Sequence, residues 1–215
     1  MKNISLVIGS TGLIGKKLLF ELDKKGDEVI AVSRRPIQGI PGNINVLVID
    51  FNHFIVNGSF PVCDHVYICL GTTIKKAGSQ REFKKVDLEY CVALAKKAKE
   101  SGATRVSLIS SVGADSDVRN FYLRTKGQVE NAIKDLDFLG INIFRPSLLI
   151  GQRDESRNFE KIGEYLSLFV NNFLIGSLRR YRSIKADNVA YSMANAECSD
   201  GTRYFYFDDF QNINR

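Results

Sequence analysis

Cysteine and histidine are scarce in this chain of 215 residues, and their placement excludes the chemistry they most often signal. The four cysteines, Cys63, Cys69, Cys91 and Cys198, form no C-x-x-C pair, and with only His53 and His65 beside them no zinc spacing can be drawn; no metal is expected. Without a disulfide framework the chain reads as a protein of a reducing compartment, and a cytoplasmic location is expected. No secretory apolar region precedes the first strand residues, and no apolar run is long enough to cross a bilayer, so no membrane partner is expected. There is no internal repeat, no low-complexity tract and no Pro/Ser-rich linker, so residues 1–215, 44% hydrophobic, read as one domain around a sizeable core. The net charge of +6 is spread in pairs such as Lys24-Lys25, Lys75-Lys76, Lys84-Lys85 and Arg179-Arg180. Scattered pairs are solvated faces, and with no aromatic-basic motif a nucleic-acid partner is not expected.

What the chain does have is a glycine turn between an apolar run and a helical pattern. Ile4, Leu6 and Ile8 precede Gly9-Ser10-Thr11-Gly12-Leu13-Ile14-Gly15, and Leu18, Leu19 and Leu22 follow at helical spacing up to Gly26. Glycines spaced G-x-x-G-x-x-G let a strand turn sharply into a helix, bring backbone N–H groups close to a pyrophosphate, and let helix and strand pack tightly. The seven residues 9–15 are therefore read as a dinucleotide phosphate loop rather than a plain β-to-α turn. An NAD site of this type places an acidic residue at the end of the second strand; here stand Ser33, Arg34 and Arg35, whose donors suit a 2′-phosphate, so NADP(H) is favoured as cofactor. Asp50 after the third strand is a candidate acceptor for the adenine amino group. Leu70, Gly71 and Thr72 after the fourth are candidates for close passage of the chain by the adenine-side ribose.

Around the loop, β-rich runs near 3–8, 28–33, 45–49, 65–70, 105–110 and 141–145 alternate with helical patterns near 12–25, 79–101 and 118–138. Strands alternating with crossover helices predict an α/β fold, a doubly wound parallel sheet with helices on both faces. Ser79 and Glu82 read as a capping box opening a helix whose apolar stripe runs through Phe83, Val86, Tyr90 and Leu94. After Gly151 the alternation weakens, and 152–215 is expected to contribute a small substrate-side cover, with 152–175 shaping the pocket; a packing helix of the core is the competing reading of that segment.

Chemistry is expected beyond the fifth strand. Ser110-Ser111 ends it, and Tyr122 and Lys126 stand four apart, on one face of the next helix. A cation near a phenol favours the phenolate and brings it toward the working range of an acid or base, while a serine at a strand end can donate to a carbonyl oxygen as charge develops there. Ser111, Tyr122 and Lys126 are the candidate catalytic residues. Lys126 is also expected to bind the nicotinamide ribose, and Pro146 and Ser147, after the sixth strand, to flank the nicotinamide.

With these residues in place the chain resembles, over nearly its full length, the short-chain dehydrogenase/reductase superfamily, and within it the atypical Tat-interacting oxidoreductase-like branch. The segments that carry the likeness are GSTGLIG at 9–15, SRR at 33–35, CLGTTIKKAG at 69–78, VDLEY at 86–90, SSVGAD at 110–115, YLRTKGQVE at 122–130, FRPSLLIG at 144–151 and RDESR at 153–157. The resemblance implies a Rossmann fold, NADP(H) bound through the glycine loop and the arginines, and a triad of Ser111, Tyr122 and Lys126. Classical members also carry an asparagine on the helix after the fourth strand, where this chain has Asp87. The expected function is an NADP(H)-dependent oxidoreductase acting on a small carbonyl or alcohol. Two alternatives stay open: a non-catalytic NADP(H) sensor acting through a protein partner, and a nucleotide-sugar epimerase or dehydratase. Self-association is likewise left open.

Overall fold

Strands buried on both faces read as continuous apolar runs rather than alternating ones, and Ile4–Ile8 (β1), Glu28–Ser33 (β2), His65–Ile68 (β4), Arg105–Ile109 (β5) and Gly140–Phe144 (β6) behave that way in the computed structural model. The structure describes residues 2–151 and 174–212. With Asn45–Val48 (β3) and Gly201–Phe205 (β9) these strands form one sheet in the order β3-β2-β1-β4-β5-β6-β9, every neighbouring pair parallel. Leu149–Ile150 (β7) and Ile184–Lys185 (β8) form a separate two-stranded parallel pair. The order reverses between β1 and β4, which places a crevice beyond the carboxyl ends of those two strands.

The helices divide between the two faces. On one, Leu94, Ala95 and Ala98 of Cys91–Glu100 (α5) and Val129 and Ile133 of Phe121–Lys134 (α6) pack over Leu6, Ile8, Val66, Val106 and Ile143. Phe51–Asn57 (α2) covers the same face with Phe51 and Phe54. On the other face, Leu18, Leu19 and Leu22 of Leu13–Lys25 (α1) pack with Val189, Ala190 and Met193 of Ala186–Asn195 (α7) over Val7, Ala31 and Phe144. Phe207–Asn212 (α8) adds Phe210 to this cluster.

The helical pattern at 79–101 resolves into more than one piece. Ile74–Ala77 (α3), capped by Thr73, precedes Gln80–Lys84 (α4), whose Ser79 hydroxyl accepts from the Glu82 N–H at 3.1 Å as the capping box requires. A π-helical turn, Lys85–Tyr90, then joins α4 to α5. An added residue in a helical turn rotates its side chains relative to their neighbours, and this one carries Asp87. The helix expected from 118 begins at Phe121, capped by Asn120. Of the expected substrate-side cover, residues 152–173 lie outside the described residues, while α7 and β9 join the main layer.

The sheet also holds a buried imidazole. His65 stacks on Tyr67 at 4.1 Å and meets the Ser107 hydroxyl at 2.9 Å. Burial, with the positive charges of Lys25 and Arg105, holds the imidazole well below its ordinary value, at about 3. The unfolded chain takes up a proton near pH 6.5 and the folded one only near 3, so between those values the unfolded state binds more protons and stability falls as the pH falls. Chemical denaturation from pH 7 to pH 4 should show wild type losing up to about 1.4 kcal/mol more per pH unit than His65→Gln. Equal slopes would contradict the neutral buried imidazole.

Candidate active site

The crevice is opened by backbone contacts that leave no room for side chains. Gly9 turns the chain out of β1 at φ +85°, and a Cβ there would lie 2.6 Å from the Cys69 carbonyl carbon at the end of β4. A Cβ on Gly15 would lie 2.3 Å from the Gly9 carbonyl oxygen, so α1 packs directly on the turn that starts it. Gly12 differs. Its backbone is extended, and a Cβ would meet only the Gly9 oxygen at 3.2 Å and the Cys69 oxygen at 3.7 Å. As N-cap of α1 it supplies no side-chain acceptor, and the first turn holds no acidic residue. The N-terminus of a 13-residue helix thus meets the crevice with no capping side chain or carboxylate of its own, the chemistry a pyrophosphate requires.

A cavity of about 760 Å³ runs from this helix end across the carboxyl ends of β4 and β5. Thr11, Gly12, Leu13 and Ile14 line it from the glycine turn, Leu70, Gly71 and Thr72 from the turn after β4, and Pro146 and Ser147 from the chain after β6. Ser111, Tyr122 and Lys126 line it as well, so the three expected catalytic residues share one space with the phosphate loop. The Ser111 hydroxyl has only a long contact with the Val112 carbonyl, at 3.4 Å, and the Tyr122 ring rests against Phe83 at 5.7 Å.

Several expected contacts are arranged differently. Ser10 and Gly9 shape the turn from behind: the buried Ser10 hydroxyl donates to the Val32 carbonyl at 2.7 Å. The Ser33 hydroxyl, expected to serve a 2′-phosphate, is buried and donates to the Arg35 carbonyl at 2.5 Å. Arg34 turns its guanidinium onto the Phe51 ring at 5.9 Å, and of the pair only Arg35 lines the cavity. Asp50 does not line it either; its carboxylate caps α2 by accepting from the His53 N–H at 2.9 Å, which is reason enough for an acid at that strand end. The Ser147 hydroxyl donates to the Arg182 carbonyl. Lys16 was missed: like Arg35 it lines the cavity, and it directly follows Gly15, a position at which the sequence already showed a cation one residue past the phosphate loop.

Lys126 is held by a partner whose role could not be read from spacing. Its ammonium lies 2.7 Å from one carboxylate oxygen of Asp87, with side-chain exposures of 5% and 0%. The other Asp87 oxygen accepts from the Thr72 N–H at 2.8 Å. Burial disfavours the lysine charge, but the Asp87 carboxylate overrides it and holds the ammonium above its ordinary value. Below this layer Ser110 donates to the buried Glu130, which also takes the Arg145 guanidinium (Nε to Oε1 2.9 Å), and Arg145 in turn donates to the Tyr206 hydroxyl at 2.9 Å and lies over the Tyr204 ring at 4.5 Å. This network ties the end of β5 to α6 and β6. A Cβ on Gly127 would lie 2.2 Å from the Ser116 nitrogen, so α6 also presses directly on the loop that precedes it.

A Rossmann sheet with a helix N-terminus and a glycine turn on one cavity is the architecture of a dinucleotide-binding protein of the oxidoreductase-like class. The sequence pattern described as NAD(P)H-binding matches residues 9–165. Protein HTATIP2 of Rattus norvegicus is 32% identical over 209 residues, which cover 94% of this chain and 84% of that protein. Protein FMP52, mitochondrial, of Debaryomyces hansenii is 37% identical over 158 residues, covering 71% and 70%. Among solved structures, MoeE5 in complex with UDP-glucose and NAD superposes with a TM-score of 0.69 at 17% identity, covering 94% of this chain and 74% of that one. Human epimerase family protein SDR39U1 with NADPH superposes with a TM-score of 0.63 at 21% identity, with the same coverages. The chain belongs to the NAD(P)H-binding family, in its atypical short-chain dehydrogenase/reductase branch. The relatives correct one expectation: those from Debaryomyces hansenii, Lodderomyces elongisporus and Candida albicans are named mitochondrial, so the absence of disulfides does not make the protein cytoplasmic. Among the described residues no helix is long and apolar enough to cross a membrane.

The three glycines separate fold from binding. Gly9→Ala and Gly15→Ala should each lose about 2 kcal/mol or more by forcing backbone apart, whereas Gly12→Ala should keep its melting temperature within a few degrees and weaken NADPH about tenfold. Thermal unfolding and cofactor titration on the three variants check this, and the pattern fails if Gly12→Ala binds like wild type.

Proposed function

We propose that the protein is an NADP(H)-dependent oxidoreductase that interconverts a carbonyl and an alcohol, with Tyr122 as the proton donor. The observation that carries this reading is the shared cavity: Ser111, Tyr122 and Lys126 line the same space as Gly12 and the N-terminal turn of α1. Bound NADPH would supply the hydride for the carbonyl carbon. The Tyr122 phenol gives its proton to the carbonyl oxygen and is reprotonated from solvent. Ser111, whose hydroxyl is only loosely held, donates a hydrogen bond to that oxygen as it gains charge. Lys126, fixed on α6, would hold the nicotinamide ribose, and Pro146 and Ser147 line the same cavity. The preference for the phosphorylated cofactor is supported by Arg35 and Lys16, two cations beside the phosphate loop with no carboxylate at the end of β2.

A sensor that binds NADP(H) without turnover is the second reading, favoured by the capture of Lys126 by Asp87. The two separate on a panel of aldehydes and ketones followed by NADPH oxidation. Wild type should turn over at least one member, and Tyr122→Phe should lose at least about 10²-fold in kcat with NADPH affinity unchanged. Full activity in Tyr122→Phe would contradict the proton-donor role, and no turnover of any carbonyl or alcohol would move the assignment to the sensor.

A further inference from the structure

A lysine beside a tyrosine promotes the phenolate by presenting an uncompensated positive charge. In this site the charge is compensated. Asp87, fully buried on the π-helical turn, meets Lys126 at 2.7 Å, and its second oxygen is taken up by the Thr72 N–H. Among the described residues no other carboxylate lines this end of the cavity; Asp187 and Glu21 lie at the α1 end, where they pair with Lys17 and Lys24. Cys91 of α5 faces the pair, and burial pushes its thiol up to about 12, so it stays neutral. Burial likewise raises Cys69, at the end of β4, and keeps it neutral. Lys76 of α3 and Tyr122 itself line the same cavity. Tyr122 therefore stands next to an ion pair whose net charge is zero, and the field of such a pair falls off faster than that of a lone ammonium.

We propose that Asp87 is a positioning residue that cancels the charge of Lys126 beside Tyr122 and so favours the reductive direction, in which an aldehyde or ketone is the substrate. The inference rests on the hydride-transfer reading above. In reduction the phenolic O–H breaks as the new O–H forms on the substrate, hydride adds to the carbonyl carbon, and NADPH is oxidised to NADP⁺; Tyr122 must start protonated. Oxidation of an alcohol needs the phenolate at the start, which a bare lysine charge would favour and the neutral pair does not. The carboxylate cannot be replaced by its amide without consequence. An asparagine at 87 has one acceptor oxygen for two donors, Thr72 N–H and Lys126, and carries no charge to offset the ammonium.

The phenol can be read without any substrate. Carbon-13 resonances of labelled tyrosine ring carbons, with Tyr122 assigned by its loss in Tyr122→Phe, give its titration in wild type, in Asp87→Asn and in Asp87→Asn/Lys126→Met. Asp87→Asn should move the Tyr122 midpoint down by about one pH unit or more, because it exposes the lysine charge. The double variant leaves no buried unpaired charge and should return the midpoint to near the wild-type value. An unmoved midpoint in Asp87→Asn would overturn the proposal. So would a double variant titrating well above wild type, since that would mean Lys126 already acts on the phenol as a free charge. If Asp87→Asn fails to fold, the double variant decides alone by the same criterion. With a substrate pair in hand, the pH profile of alcohol oxidation should shift to lower pH in Asp87→Asn. Absence of turnover on every carbonyl and alcohol would count against the oxidoreductase reading, while the titration would still decide the role of Asp87.

Discussion

Three backbone segments meet at the carboxyl ends of β1 and β4 without a side chain between them, and the site depends on that contact. The Gly9 carbonyl lies where a Cβ of residue 15 would go, and the Cys69 backbone lies where a Cβ of residue 9 would go. Because they touch, α1 begins directly above the sheet with its first N–H groups facing the point where strand order reverses. A side chain at either position would push the helix outward and close the crevice from below. The apolar faces of α1 and α7 then hold the arrangement from one side of the sheet, and α5 and α6 from the other.

The second constraint is electrostatic. Burying a lysine is tolerated only when its charge is met, and Asp87 meets Lys126 while also holding the Thr72 N–H. One carboxylate thereby couples the turn after β4 to α6, the two segments that bound the reactive end of the cavity. The π-helical turn is what brings this carboxylate inward, since it sits between two helices of ordinary geometry. The Glu130–Arg145 pair does the corresponding work one layer deeper, where Ser110 anchors the strand end that presents Ser111.

Much of this was legible in the residues. Apolar runs fixed the six expected strands to within a residue or two, and the glycine spacing located the turn, because both signals are local and depend on packing that any parallel sheet demands. The edge strand β9 escaped notice: of Gly201–Phe205 only Phe205 is buried, so it carries almost no periodic signal. Helix α2 was hidden by its length of seven residues. At the site, Ser111, Tyr122 and Lys126, singled out by spacing, share one cavity, whereas Ser33, Arg34 and Asp50, expected to meet a ligand, engage a backbone carbonyl, an aromatic ring and a helix N-terminus. Residues at strand ends serve turns as readily as ligands, and sequence does not separate the two uses. The Lys126–Asp87 contact joins residues 39 positions apart and depends on the π-helical turn, which no periodicity announces.

The proposed cofactor assignment turns on whether Lys16 and Arg35 read a 2′-phosphate at the open end of the crevice. Calorimetric titration of NADPH and NADH into wild type and Lys16→Ala/Arg35→Ala addresses it directly. Wild type should bind NADPH at least about tenfold more tightly, a difference of about 1.4 kcal/mol, and the double variant should lose that preference while keeping its NADH affinity. Equal affinities in wild type, or a preference that survives removal of both cations, would contradict the placement of the 2′-phosphate and with it the assignment of NADP(H).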